Sequence, residues 1–199
     1  MNRSIVFLDT EQDSLHPGRR AYEIAMIRRD DLGDGIAAQK EISFFVSLNL
    51  CNSDPAALAV GRFFDRHPAG RKISGKPVLP GAQVVYSVHD AAKTVMEWTF
   101  GATIVGAVPS FDTETLAKLL RAEGYLPSWH HRLRCVETLT MGVLGEDIGG
   151  LSDCADRLEV DYTDLSLHTA LGDARLAMRV FDACMADENA SAAADPEVA

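Results

Sequence analysis

The chain has 199 residues, of which 47% are hydrophobic and 24% are charged, and both values are ordinary for a one-domain globular protein. They exclude a collagen-like, coiled-coil or wholly disordered chain. Four cysteines lie far apart without a Cys-x-x-Cys pair, which argues against a disulfide framework or a structural zinc site. The net charge of −10 argues against a large non-specific DNA clamp, although a local site could still bind a phosphate polymer.

The first third of the chain predicts three strands. Residues 4–9 form a short apolar run that is typical of a strand buried on both faces. Two further strand-like runs follow at 21–29 and 41–48. The Gly- and Asp-rich residues 30–35 between those runs predict a hairpin-type connection.

Helices dominate the rest of the predicted fold. Asp54 and Pro55 begin a helical stretch, because proline is favoured at the first helical position, and this stretch fades near residues 68–70. The order of five strands and five helices predicts a single α/β domain with a mixed sheet. The remaining predicted helices are 87–100, 112–123, 151–158 and 170 to about 186, and the remaining predicted strands are 103–108 and 134–139.

Membrane segments and a signal peptide are not expected. No apolar run approaches the roughly 18 residues that a membrane span needs, and Asp9 and Glu11 come too early for a signal peptide. We therefore expect a cytoplasmic protein with no membrane partner. The Ala-rich, acidic residues from Asp187 onward predict disorder, so we expect a folded domain over 1–186 and a disordered tail over 187–199.

Acidic side chains follow the first buried strand. Asp9 and Glu11 are two residues apart, so both project to the same face of an extended chain. Like charges placed side by side at the end of an apolar strand are costly unless something neutralises them, and a divalent cation can do so. The Asp-x-Glu pattern also occurs at Asp112-Thr113-Glu114, and two solvated acids in a loop would explain it equally well.

Two later segments contain further candidates. Asp112 follows a buried strand and begins a predicted helix, where it could act as an N-cap or reach a site at the edge of the sheet. His168 and Asp173 flank the start of the last predicted helix, next to the small residues Ala170 and Ala174. None of the other histidines has an aspartate five residues later.

Together these motifs resemble the DEDDh family of exonucleases, which includes proofreading epsilon subunits, RNase T and oligoribonucleases. The resemblance covers roughly residues 4–186, and one departure is Gln12-Asp13-Ser14 where the family often has Thr-Thr-Gly. The segments that carry it are Phe7-Leu8-Asp9-Thr10-Glu11 with Leu15, then Ser110-Phe111-Asp112, then His168-x-Ala170-x-x-Asp173-Ala174.

The resemblance implies a ribonuclease H-like fold, with a five-stranded mixed sheet and helices on both faces. It also implies that four acids bind two divalent cations, Mg²⁺ or Mn²⁺, and that His168 is the general base. All-oxygen ligands favour these cations, and a histidine can accept a proton from water near neutral pH. The implied metal ligands are Asp9, Glu11, Asp112 and Asp173.

The implied substrate is the 3′ end of single-stranded DNA or RNA, hydrolysed to nucleoside monophosphates. Leu15 matches a family position that contacts the terminal base, and Phe111 could pack nearby. Arg19 and Arg20 follow the first motif closely and could contact phosphates, although exposed basic residues are more often simply solvated. The epsilon subunits in the family make a polymerase a further possible partner.

Two alternatives to the exonuclease remain open at the level of sequence. The chain could be a catalytically silent relative that binds nucleic acid or a polymerase; the loss of a metal ligand would favour it, but all four acids are present. It could also be a different metal-dependent hydrolase on an unrelated α/β fold, with an accidental match to the motifs. That second alternative requires that the acids and His168 do not share one cleft.

Overall fold

A computed structural model describes residues 4–31, 37–77 and 84–193, with side chains described as far as residue 186. The six strands are β1 (Ile5–Gln12), β2 (Ala21–Asp31), β3 (Ala37–Val46), β4 (Val85–Tyr86), β5 (Thr103–Gly106) and β6 (Arg134–Cys135). The eight α-helices are α1 (Pro55–Val60), α2 (Phe63–Arg66), α3 (Pro68–Ile73), α4 (Val88–Thr99), α5 (Pro109–Ala122), α6 (Val136–Leu144), α7 (Leu151–Arg157) and α8 (Ala170–Ala193).

The strands form one mixed sheet in the order β4-β3-β2-β1-β5-β6. Strands β1, β2 and β3 are antiparallel neighbours, which confirms that the second and third predicted strands pair. Strand β5 runs parallel to β1, and β6 runs parallel to β5. Residues 32–35 of the predicted hairpin connection lie outside the described residues.

Helices cover both faces of the sheet, as predicted, and the alternation along β1 shows why. Val6 and Leu8 point into a core that α4 and α5 complete, whereas Phe7 points into a second core with α8. Successive strand side chains project to opposite faces, so an apolar strand can serve two cores at once. The same alternation continues into Asp9 and Glu11, which share the face of Phe7.

The sheet has six strands instead of the predicted five, because the two-residue strand β4 pairs with the end of β3. The predicted strand at 134–139 is wrong beyond Cys135, where helix α6 begins. The Cys135 Sγ atom accepts from the Thr138 N–H and so caps this helix. Val136 and Thr140 are both fully buried and lie one helical turn apart, so the helical period outweighs their β-branched character.

The C-terminal boundary of the domain stays a prediction. Helix α8 begins at Ala170, as predicted, but its backbone continues to Ala193, seven residues beyond the predicted boundary at 186. Residues 194–199 of the predicted tail lie outside the described residues. The four cysteines all lie in the described part of the chain and are not joined by disulfides; Cys154 and Cys184 are buried, whereas Cys51 is exposed.

Helices α1 to α3 replace the single helical stretch predicted from Asp54, and Pro68 begins the third of them. His67 anchors this segment to the sheet. Its Nδ1 atom accepts from the Ala69 N–H at 3.1 Å, so its Nε2 atom carries the proton and donates to the Val46 carbonyl at 3.2 Å. The ring is buried and stacks on Phe63 with a centroid distance of 4.5 Å.

We expect His67→Ala to lower the free energy of unfolding by about 2–3 kcal/mol, because it removes a helix cap and a buried hydrogen bond. Urea denaturation followed by circular dichroism would measure the change. His89→Ala is the matched control, since His89 is exposed on α4 and interacts with Glu123 at the surface. Equal stability losses in the two variants would contradict the anchoring role of His67.

Candidate active site

Three carboxylates from two distant segments meet beside the central strand. Asp9 and Glu11 project from the same face of β1, and Asp173 reaches them from the first turns of α8. Each offers an oxygen, and these oxygens lie within 4.8 Å of one another. Ala170 and Ala174 are fully buried, so α8 can pack closely enough against the sheet to deliver Asp173. This spacing allows all three side chains to bind one metal ion.

Asp112 lies next to this group without being one of the three. Helix α5 begins at Pro109, three residues before the predicted start, and its N-cap is Val108, which makes no side-chain cap. The N-cap alternative for Asp112 is therefore wrong. Its Oδ1 atom instead accepts from the Thr10 hydroxyl at 2.7 Å and from the Thr10 N–H at 3.1 Å. Burial is the main cause of the raised pKa values of Asp9 and Glu11, and the negative charge of Asp112 adds to both.

The four acids cannot all be ionised cheaply at neutral pH. Burial raises the pKa of Asp9 well above its usual range, and the neighbouring charge of Asp112 raises it further. Burial also raises the pKa of Glu11 to about 7, that of Asp112 to about 7 and that of Asp173 to about 6. Crowded, desolvated carboxylates of this kind either bind protons or are neutralised by a cation. Their oxygen atoms fit Mg²⁺ or Mn²⁺, so the residues present suit the predicted metal ions.

His168 lies beside the acids, immediately before α8. Its backbone has a φ of 55°, in the left-handed region that is uncommon for residues other than glycine. Its backbone N–H donates to the carboxylate of Asp173, and its side chain is exposed. A cavity of about 310 Å³ is lined by His168, Asp9 and Asp173. Strained backbone of this kind is often found at functional sites.

A buried ion pair links the acids to the histidine. Glu23 lies opposite Glu11 across β1 and β2, is fully buried, and pairs with Arg66 at the end of α2. Arg66 Nη1 also donates to the His168 carbonyl at 3.4 Å and to the Gly61 carbonyl at 3.3 Å. The guanidinium therefore offsets part of the negative charge around Glu11 and holds the backbone of His168.

Gly61 marks the closest approach of the α1–α2 segment to the acids. A Cβ atom at this position would lie 1.9 Å from the Tyr22 hydroxyl and 2.4 Å from Glu11 Oε2, so a side chain does not fit. The Tyr22 hydroxyl is buried and has no hydrogen-bond partner among the described residues. Burial raises the pKa of Tyr22, and the charges of Glu11 and Glu23 raise it further, so Tyr22 stays protonated.

A second cavity, of about 390 Å³, is lined in part by Glu11, and His168 does not contribute to it. Its lining also includes Leu15 and Phe111, together with Ala56, Ala57 and Val60 from α1. Leu15 is 77% exposed, so it is accessible to a molecule that enters this cavity. The two residues predicted to contact a base therefore lie at one apolar cavity beside the acids.

Arg19 and Arg20 lie close to this cavity but are already engaged with other protein groups. The Arg19 guanidinium is buried, lies 3.8 Å from the centre of the Phe111 ring, and donates to Glu114 at 2.9 Å. Arg20 donates from Nε and Nη2 to Asp13, at 2.9 and 2.6 Å. Phosphate contacts by these two residues stay predictions, and the geometry instead places Arg19 as a support for Phe111.

The sequence did not reveal Arg66. No motif marks it, because its importance comes from partners at positions 23 and 168 that are far away in the chain. Glu23, in contrast, had a detectable signal. It is the one acid among the apolar residues 21–27 of β2, and fully buried acids occur mainly where they are paired.

The raised pKa values predict an inverted pH dependence of stability for the metal-free protein. Because the folded pKa values of these acids exceed their unfolded values, the folded state binds more protons between about pH 4 and pH 7. In EDTA, the melting temperature should therefore fall as the pH rises through that range. Added Mn²⁺ should raise the melting temperature much more at pH 8 than at pH 5, because it replaces those protons.

Asp112→Asn is the control for this measurement. The melting temperature of this variant should fall less steeply with rising pH than that of the wild type, because one of the acids with a raised pKa is gone. Both proteins contain His67, whose lowered pKa makes stability rise with pH. Subtracting one pH profile from the other therefore cancels the contribution of His67. Superimposable pH profiles for the two proteins would contradict the electrostatic description of the site.

Comparison with known proteins supports the fold at low sequence identity. No protein-family model matches the sequence, and no curated protein matches it. E. coli Exonuclease I in complex with a dT13 oligonucleotide is 16% identical, with a TM-score of 0.66 over 98% of this chain and 43% of that chain. S. pombe Pop2p in its Mg²⁺- and Mn²⁺-bound form is 16% identical, with a TM-score of 0.61 over 89% of this chain and 81% of that chain.

The chain thus spans less than half the length of the Exonuclease I chain that it resembles. Among the described residues, no helix combines the length and apolarity that crossing a bilayer requires. The alternative of an unrelated α/β fold is wrong, since the neighbours are ribonuclease H-like exonucleases. This protein therefore has the ribonuclease H-like fold, with an acidic site that could hold metal at the end of its central strand.

Proposed function

We propose that this protein is a metal-dependent 3′→5′ exonuclease of the DEDDh type, which releases nucleoside monophosphates from single-stranded DNA or RNA. The observation that carries the proposal is the convergence of three carboxylates, Asp9, Glu11 and Asp173, with Asp112 and His168 beside them. These residues come from separate segments of the chain, so chance is a poor explanation for their meeting on this fold. The neighbouring structures with a bound oligonucleotide or with bound Mg²⁺ and Mn²⁺ agree with the proposal.

In this proposal Asp9, Glu11, Asp112 and Asp173 hold two divalent cations, Mg²⁺ or Mn²⁺. Such ions, when bound, stabilise the negative charge that develops on the attacking and leaving oxygens during phosphoryl transfer. The chain supplies the carboxylates in a desolvated setting, where their attraction for a cation is stronger than in water. The four acids thus set the position of the scissile phosphodiester.

His168 acts as the general base in this proposal. It accepts a proton from the attacking water, and its exposed imidazole in the cavity beside Asp9 and Asp173 can reach a water molecule there. The hydrogen bond from its backbone N–H to Asp173 ties its position to that of a metal ligand. A proton acceptor and the metal ligands are therefore held in a fixed relation.

The apolar cavity receives the base of the terminal nucleotide. Leu15 and Phe111 contact one face of that base, and the small side chains of α1 leave room for it. Arg19 supports the ring of Phe111 from within the protein. Arg19 and Arg20 already bind Glu114 and Asp13, so a phosphate contact by either would be made beside those carboxylates.

Single-stranded DNA and RNA oligonucleotides of the same sequence, labelled at either end, provide the test. With Mg²⁺ or Mn²⁺, a 3′ label should appear at once as a mononucleotide, while a 5′ label should give a ladder that shortens by single nucleotides. EDTA should abolish both reactions. Early release of a 5′-labelled mononucleotide, or long internal fragments, would overturn the proposed direction. A protein that binds the strands but cleaves neither would be the catalytically silent relative.

A further inference from the structure

A chain of four buried side chains ends at Asp112. The Thr115 hydroxyl donates to Gln12 Oε1 at 3.0 Å, and Gln12 Nε2 donates to Thr10 Oγ1 at 2.9 Å. The Thr10 hydroxyl then donates to Asp112 Oδ1 at 2.7 Å. Among the described residues, the buried polar atoms without a partner belong to Arg19, Tyr22 and Glu23, so none belongs to this chain of hydrogen bonds.

The chemistry of the groups fixes the direction of every hydrogen bond. An ionised Asp112 can only accept, so the single proton of the Thr10 hydroxyl must point to it. Thr10 Oγ1 can then only accept from Gln12, so the amide must present its NH₂ group to Thr10 and its oxygen to Thr115. The Thr115 hydroxyl donates to this Gln12 oxygen. The same hydroxyl lies 3.3 Å from the Phe111 carbonyl oxygen.

Alternation along β1 gives this arrangement its place in the fold. Asp9 and Glu11 point from one face of the strand toward α8, whereas Thr10 and Gln12 point from the other face toward α5. Asp112 and Thr115 lie three residues apart on α5, and neighbours at this spacing share one face of a helix. One stretch of strand therefore provides metal ligands on one face and hydrogen-bond donors on the other.

We propose that Gln12 and Thr115 are positioning residues that orient the Asp112 carboxylate for metal binding. Two donations from Thr10, from its N–H and its hydroxyl, both reach Oδ1 and so fix the orientation of the Asp112 carboxylate. Gln12 stands where the family pattern has a threonine, so the longer amide is this chain's own link between β1 and α5. The inference rests on the proposed function for the role of Asp112 as a ligand.

Metal binding without nucleic acid tests this inference. Thr115→Val removes the hydroxyl at nearly constant shape, Gln12→Met removes the amide at nearly constant length, and Thr115→Ser keeps the hydroxyl. The free Mn²⁺ signal in electron paramagnetic resonance gives the dissociation constant. We expect Thr115→Val and Gln12→Met to weaken Mn²⁺ binding about 3- to 10-fold, less than the loss usual for a direct hydrogen-bond partner of a metal ligand, because both residues act on Asp112 through Thr10. Thr115→Ser should stay within about twofold of the wild type, because the donor is retained.

Asp112→Asn distinguishes positioning from a general loss of structure. If Thr115 acts through Asp112, adding Thr115→Val to Asp112→Asn should weaken Mn²⁺ binding no further. Wild-type Mn²⁺ affinity in folded Thr115→Val and Gln12→Met would overturn the inference while leaving the proposed function intact. If the losses of Mn²⁺ affinity caused by Thr115→Val and Asp112→Asn add up in the double variant, the inference is likewise overturned and the proposed function is left intact. Wild-type affinity in Asp112→Asn would instead overturn the ligand assignment on which both rest.

Discussion

Asp173→Asn should lower the exonuclease rate at least about 1,000-fold, because a metal ligand that contributes several kcal/mol to transition-state stabilisation is lost. Asp173 shares a 4.8 Å cluster with Asp9 and Glu11, and burial raises its pKa to about 6. The amide cannot carry the negative charge that holds a divalent cation. Initial rates on a 5′-labelled oligonucleotide at saturating Mg²⁺ would measure the loss.

The matched control for this variant is Asp182→Asn, on the same helix. Asp182 lies nine residues further along α8 and pairs with Arg29 at the surface, at 2.7 Å. We expect it to retain the wild-type rate. In EDTA at pH 8, Asp173→Asn should also melt at a higher temperature than the wild type, because one crowded carboxylate is gone. Nuclease activity that survives Asp173→Asn would contradict the assignment of this site.

His168→Asn should reduce turnover about 100- to 10,000-fold, the range expected for loss of a general base. Asparagine suits this position because it tolerates the left-handed backbone that His168 adopts, with a φ of 55°. It also keeps the backbone N–H that donates to Asp173. The affinity for Mn²⁺ should therefore stay close to that of the wild type while kcat falls.

The pH profile separates this role from a structural one. With the general base removed, the levelling-off of the rate that a base produces should disappear, and the rate should go on rising with hydroxide concentration. His89→Ala serves as the control, because His89 is exposed on α4 and interacts with Glu123. A large loss of Mn²⁺ affinity in His168→Asn, or unchanged turnover, would contradict the proposed role of His168.

The sequence predicted those features that depend on neighbouring residues. The alternation around Asp9 and Glu11 correctly placed both acids on one face of β1. The start of α8 and the tight packing at Ala170 and Ala174 were also predictable, since small residues and helical spacing are visible in the sequence. For the same reason, the order of the strands and helices identified the fold class before any contact was known.

Features that depend on distant contacts could not be predicted. The sequence left Asp112 as a possible N-cap, because nothing local indicates that Thr10 binds its carboxylate. Arg19 follows the first motif and resembles a phosphate ligand, yet its guanidinium lies on the ring of Phe111, 92 positions away in the chain. The segment after Cys135 contains β-branched residues, which favour a strand, at a spacing that favours a helix. Packing against α8 decides in favour of the helix.

The measurement that tests the proposed site most directly is a crystal structure of the protein with Mn²⁺ and a nucleoside 5′-monophosphate, with the manganese located by anomalous scattering. We predict two manganese peaks, both bound by oxygens of Asp9, Glu11, Asp112 and Asp173, with the phosphate beside them and the imidazole of His168 facing it. Manganese bound elsewhere, or any of these four acids turned away from both ions, would contradict the proposal.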